Sequence, residues 1–91
     1  MNVHFKNFRL IDPYTGKDVY GDLYIEKGKI VEQPTAKADR ELDGHGMILA
    51  PAFVDAHCHL RDPGQTWKED IESGTRAAAA GGFAAVMAMP N

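Results

Sequence analysis

Apolar and polar positions alternate through the first third of the chain with the period of extended backbone. Val3 and Phe5, then Phe8 and Leu10, give an imperfect alternation that runs into Asp12-Pro13-Tyr14-Thr15-Gly16. Proline presets φ in such a segment and glycine accepts a positive one, so a hairpin is predicted there. Over residues 19–31 the alternation is cleaner, with Leu23 and Ile25 on one face and Asp22, Tyr24 and Glu26 on the other. Lys27-Gly28 marks a turn before Lys29-Ile30-Val31, which makes the segment a half-buried antiparallel meander. Residues 33–40 are polar, contain Pro34 and read as a loop. Leu42 then leads through Asp43-Gly44 into Met47-Ile48-Leu49, where the β-rich layer is expected to end.

The pattern changes at Ala50-Pro51. Residues 52–56 are a short, mostly apolar run, as expected of a strand covered on both faces in a parallel sheet, with Pro51 at its start where a missing N–H does least harm. Asp62-Pro63-Gly64-Gln65 reads as a loop. Thr66-Trp67-Lys68-Glu69 fits a capping box, which predicts a helix from Trp67 with Thr66 as its N-cap. Trp67, Ile71, Gly74 and Ala78 recur at helical spacing, residues 77–80 are all alanine, and Gly81-Gly82 supplies a left-handed C-terminal cap. Residues 83–89 are again apolar and of strand length. The expected fold class is therefore α/β with a β-rich N-terminal part: residues 1–51, then a strand, helix, strand unit in 52–91 with a right-handed crossover. The functional end of such a unit is the carboxyl end of its strands, where residues 57–61 and Pro90-Asn91 fall.

Composition adds limits. The chain has 91 residues, 44% of them hydrophobic and 25% charged, which is ordinary globular sequence. So short a chain buries a core only marginally, and stability from partners is expected. A net charge of −3 lacks the basic footprint that nucleic-acid binding needs. No apolar run approaches the ~18 residues of a membrane span, and the first residues lack the apolar stretch of a signal peptide, so a cytoplasmic location is expected. The lone cysteine, Cys58, has no partner in the chain for a disulfide and fits a reducing compartment.

The chemistry lies in Asp55-Ala56-His57-Cys58-His59-Leu60-Arg61. Successive side chains of a strand point to opposite faces, so His57 and His59 project together and Cys58 away from them. Neutral imidazole is a good ligand for zinc and similar ions, and a catalytic site needs two or three further protein ligands and an open position for water. A bare His-x-His also arises by chance, but this one ends an apolar strand, follows Asp55 and precedes an arginine and a Pro-Gly turn. His4 and His45 lack that setting and read as surface or turn residues. Asp55 shares the histidines' face and fits either a hydrogen bond to a ligand or a backbone contact.

Val54-Asp55-Ala56-His57-Cys58-His59-Leu60-Arg61-Asp62-Pro63-Gly64, with Gly74-Thr75-Arg76-Ala77-Ala78-Ala79, Gly81-Gly82-Phe83 and Met89-Pro90-Asn91, resembles the dihydroorotases of the amidohydrolase superfamily. Cys58 departs from the aliphatic residue usual between the two histidines and is expected to pack outward against the helix. The resemblance implies that residues 1–51 are a segment of an accessory β-sandwich. It implies that residues 52–91 begin a (β/α)8 TIM-type barrel of a metal-dependent hydrolase, incomplete in this chain because only two of eight strands can be counted. It further implies that His57 and His59 ligate zinc, in a site of one or two ions, and that His59, Arg61 and Asn91 hold the substrate carboxylate. The family's catalytic aspartate would lie beyond residue 91.

The activity so implied is the reversible cyclisation of N-carbamoyl-L-aspartate to L-dihydroorotate in de novo pyrimidine biosynthesis. The chain would be an N-terminal fragment, inactive alone, that needs the remainder of the barrel in the same or another chain. Arg61 favours this over allantoinases and dihydropyrimidinases, whose substrates lack that carboxylate. A guanidinium fork suits a carboxylate with two hydrogen bonds, and an asparagine adds a neutral donor. Arg61 can also be read as a salt-bridge partner of Asp62, and Asn91 as a turn or tail residue. Two further expectations stay open: a homo-oligomer, and a noncatalytic dihydroorotase-like subunit that supports aspartate transcarbamoylase.

Overall fold

Val3–Asp12 forms strand β1, and the chain returns through residues 13–16 as β2, Lys17–Glu26, paired antiparallel to it from Asp12↔Lys17 back to Val3↔Ile25. The computed structural model describes residues 1–90 and divides at Pro51 into two compact units. In the hairpin loop the Asp12 carboxylate accepts a hydrogen bond from the Tyr14 N–H at 2.9 Å, the side-chain turn that aspartate favours. Strand β3, Lys29–Val31, then pairs with the end of β2 across a two-residue turn. Lys27 and Gly28 both have positive φ, which gives that turn the twist of the strands it joins.

The imperfect alternation of β1 has a structural cause. Phe5 faces Leu23 but Phe8 faces Gly21, so β1 spends three residues where β2 spends two. The extra residue is a β-bulge at Lys6-Asn7, with Asn7 in the left-handed region at φ 59°. The Asn7 N–H donates to the Asp22 carboxylate at 3.1 Å, and its side-chain amide donates to Asp43. By resetting the period, the bulge brings the Phe5 and Phe8 rings edge to face at 5.8 Å and lets Phe8 and Leu10 form the buried core of this unit.

The other edge of β1 carries two short parallel strands. Strand β4, Arg40–Asp43, pairs with residues 3–6, and β5, Ile48–Leu49, pairs with Arg9 and Leu10. The sequence pattern reads residues 33–40 as a loop, so it misses the start of β4 at Arg40, and it does not identify either segment as a parallel neighbour of the first strand. Between them Gly44 lies under the Phe8 ring, where a Cβ would fall 2.5–2.6 Å from three ring atoms. A carboxylate cluster ties the three strands. His4 Nε2 lies 2.8 Å from Asp22 on β2, His4 Nδ1 lies 3.3 Å from Glu41 on β4, and Lys6 lies 2.9 Å from Glu41. The His4 and Asn7 contacts hold the Asp22 carboxyl below the usual aspartate range, and Lys6 does the same for Glu41.

In the second unit β6, Phe53–Cys58, pairs in parallel with β7, Phe83–Ala88, and helix α1, Ile71–Ala80, connects them and packs on β7. The helix starts four residues later than the capping-box pattern at Thr66 predicts. Asp70 is the N-cap: its carboxylate accepts from the Ser73 N–H at 2.7 Å, while the Asp70 N–H donates to the Ser73 hydroxyl. The Asp62 carboxylate takes a further orphan donor, the Ile71 N–H, at 3.3 Å. Two carboxylates thus satisfy the helix terminus at residues 70–73, and residues 66–68 remain a turn, with Trp67 79% exposed. At the far end Gly82, at φ 89°, takes the left-handed position that ends the helix.

Gly44→Ala is expected to destabilise the first unit by about 1–3 kcal/mol, because the Phe8 ring fills the space a methyl group would need; chemical denaturation of the variant checks this. Asp70→Ala is expected to lower the thermal midpoint at neutral pH. The Ser73 N–H, with the Ser73 hydroxyl, holds the Asp70 carboxyl below its ordinary range. A depressed carboxyl stabilises the fold above its unfolded value, and that contribution is lost as the pH falls through the folded value. The difference between wild type and variant should therefore shrink on acidification, and a difference that stays constant to low pH would refute the assignment.

Candidate functional site

The carboxyl end of β6 is where the titratable side chains gather. Asp55 closes on its own strand: its carboxylate accepts from the His57 N–H at 3.0 Å, the backbone contact rather than a hydrogen bond to a histidine ring. The His57 and His59 rings stand next to each other, edge to face, with centres 5.5 Å apart. Both are exposed. His59 lies one residue past the end of the strand pairing, where the Met89 N–H donates to the Cys58 carbonyl at 2.7 Å and keeps the backbone extended. The side-by-side placement expected from alternation is therefore present.

With imidazole nitrogens at ~2.0–2.1 Å from a zinc ion, two rings on one tetrahedral ion have their centres about 5 Å apart. The His57 and His59 spacing fits that requirement. Among the described residues no cluster of three or more His, Cys, Asp or Glu side chains is placed to hold a metal, so these two imidazoles are at most part of a donor set. Cys58 does not join them. Its thiol points at the Met87 carbonyl on β7, with a sulfur–oxygen distance of 3.6 Å, so the cysteine faces the neighbouring strand rather than serving as a ligand.

Arg61 follows immediately, half-buried and in the left-handed region at φ 63°. The Arg61 carbonyl accepts from the Gln65 N–H at 3.0 Å, and the Arg61 guanidinium donates from Nη1 to the Gln65 side-chain oxygen at 3.4 Å. Asp62 does not pair with it, because its carboxylate is committed to the helix N-terminus. Among the described residues no carboxylate lies within ion-pair distance of Arg61. Asn91 lies outside the described residues.

The loop between β6 and α1 is braced on the helix as well. A Cβ on Gly74, the buried residue of α1, would sit 2.8 Å from a Leu60 methyl carbon and 2.5 Å from a Glu69 carboxylate oxygen. Leu60, next to Arg61 in sequence, and Glu69 therefore both rest on the bare backbone of Gly74. Pattern reading missed Gln65, Asp62 as a helix latch, and Asp70. Only Asp70 left a legible signal, an aspartate three residues before a serine.

Two hollows lie in the first unit. One, of about 430 Å³, is apolar, lined by Phe5, Leu10, Leu23, Ile25 and Leu49 among others, with Asp12 and Lys17 its only charged residues. The other borders His4 and Glu41, which are already engaged with Asp22 and Lys6. Neither gathers uncommitted chemical groups as the end of β6 does. His45 is an exposed turn residue beside Asp43.

Residues 46–91 match the family described as Dihydro-orotase-like. A dihydroorotase of Syntrophotalea carbinolica is 50% identical over 94 residues and one of Endomicrobium trichonymphae is 44% identical over 91, each across 100% of this chain. The chain spans about 22% of the length of these curated relatives. Among solved structures, the L-hydantoinase (dihydropyrimidinase) of Arthrobacter aurescens superposes over 97% of this chain and 20% of its own, at 26% identity and a TM-score of 0.76. An amidohydrolase of Thermotoga maritima does so over 98% of this chain and 30% of its own, at 25% identity and a TM-score of 0.62. The family match spans the whole of β6, the helix and β7, so the paired histidines and the braced arginine fall within the matched region, and the chain belongs to the Dihydro-orotase-like family.

Proposed function

We propose that this chain supplies the N-terminal part of a dihydroorotase, which interconverts N-carbamoyl-L-aspartate and L-dihydroorotate in pyrimidine biosynthesis, in the cytoplasm. Residues 1–51 are then a segment of an accessory β-sandwich, and residues 52–91 are the first strand, helix and strand of a (β/α)8 barrel whose remainder completes the site. The observation that carries the reading is the pair of adjacent imidazoles at the tip of β6, two residues before an arginine that no carboxylate among the described residues neutralises. Identities of 44–50% to proteins named dihydroorotase, against 26% to the hydantoinase, favour this substrate over those of related cyclic amide hydrolases.

In this reading His57 and His59 hold zinc, one or two ions per completed site. When bound, the metal acidifies water and polarises a carbonyl oxygen. Arg61 grips the ring carboxylate of dihydroorotate, His59 lies beside it and Asn91 adds a neutral donor. Fixing that carboxylate orients the ring so that its amide carbonyl, and no other, faces the metal-binding edge. Hydrolysis adds water across the ring amide: the water oxygen bonds to the carbonyl carbon, the C–N bond breaks and the nitrogen, still tethered in the same molecule, takes one proton, while the new carboxyl group releases the other to solvent. The group that carries that proton belongs to the remainder of the barrel.

The test uses a protein that carries this chain with the rest of the barrel. His57→Ala is expected to lower bound zinc and abolish ring opening of dihydroorotate. Arg61→Ala is expected to raise KM about tenfold or more, the effect of losing a charged contact of about 1.5–3 kcal/mol, with a smaller change in kcat. Undiminished zinc in the first variant or an unchanged KM in the second would remove that residue from the site. The 91-residue chain by itself is expected to show no turnover.

A further inference from the structure

Arginines beside a carboxylate-binding site face a conflict. A long side chain needs a partner to be aimed, but the usual partner, an aspartate or glutamate, would neutralise the charge meant for the ligand and compete with it for the same donors. Asp62, the adjacent residue, is the obvious competitor here. Its carboxylate is withdrawn to the Ile71 N–H at the start of α1, and the contact to Arg61 comes from the neutral amide of Gln65. The same two residues are joined a second time, by the Gln65 N–H to the Arg61 carbonyl, so the backbone of residues 61–65 closes into a turn that holds Arg61 in its left-handed conformation. One residue therefore fixes both the backbone and the head group of Arg61. It uses one Nη1 donor and leaves the guanidinium's net charge intact.

We propose that Gln65 is the positioning residue of Arg61, a neutral acceptor that aims the guanidinium without discharging it and so sets the preference for substrates that carry a carboxylate. The proposal rests on the reading of Arg61 as the carboxylate clamp. It gives Gln65 a role that depends on its lack of charge as well as on its reach. Glutamate has the same length and an equally good acceptor oxygen, so a brace that served only the loop fold would accept it. A glutamate at 65 would instead form an ion pair with Arg61 and repel an incoming carboxylate.

The experiment measures kcat and KM for dihydroorotate in the complete protein carrying Gln65→Ala, Gln65→Glu, Arg61→Ala and the double variant Gln65→Ala/Arg61→Ala. Gln65→Ala is expected to raise KM about threefold, the effect of one modest hydrogen bond, with kcat nearly unchanged. Gln65→Glu is expected to raise KM further, about tenfold or more. In the Arg61→Ala background the Gln65→Ala change is expected to have no additional effect. A Gln65→Glu protein with the wild-type KM, or one that does better than Gln65→Ala, would overturn the proposal while leaving Arg61 in place. If Arg61→Ala itself leaves KM unaltered, the clamp reading fails and the role of Gln65 fails with it.

Discussion

Extended backbone repeats every two residues, and the candidate site depends on that constraint more than on any other. At the carboxyl end of β6, where the parallel pairing with β7 shifts register between Asp55 and Cys58, positions 57 and 59 still share a side and position 58 turns away. The two imidazoles meet edge to face with centres 5.5 Å apart, while the intervening thiol turns to the Met87 carbonyl on β7. The Met89 N–H, one residue past β7, adds a rung to the carbonyl of Cys58, the last residue of β6, directly before His59. Without that added rung the second ring would be free to swing with the loop.

Beyond the strand, control passes from alternation to hydrogen-bond accounting. Residues 61–70 have no regular structure, yet several polar groups there have defined partners. Asp62 and Asp70 satisfy amide donors at the start of α1, Gln65 engages Arg61 twice, and Glu69 and Leu60 lie against the bare backbone of Gly74. The helix is therefore a platform for the loop as much as a connection between strands. A residue as large as leucine at 74 would displace both Leu60 and Glu69.

Much of this was legible in the sequence, for identifiable reasons. The hairpin, the meander, β6, β7 and the adjacency of the two histidines follow from periodicity and turn chemistry, which are local. The helix start was misplaced because Thr66-x-x-Glu69 matches the usual capping pattern better than Asp70-x-x-Ser73 does. The outcome turned on Asp62, eight residues before the cap, whose reach to Ile71 cannot be read from spacing. The parallel placement of β4 and β5 was hidden for a similar reason, since pairing partners far apart in sequence leave no local signal. Gln65 was overlooked because a glutamine in a Pro-Gly loop looks like solvent-facing polarity.

The sheet order of the first unit also bears on how a ribosome could deliver it. Strands β1, β2 and β3 are neighbours in sequence as well as in space and can zip up as they emerge. The opposite edge of β1 must wait for β4 and β5, which leave the exit tunnel only after the polar loop. Until then the Phe8 ring has no Gly44 beneath it and half the backbone of β1 is unpaired, a transient sticky edge of the kind that chaperones shield. The bulge at Asn7 kinks that waiting edge, which makes it a poorer template for a stray strand from another nascent chain.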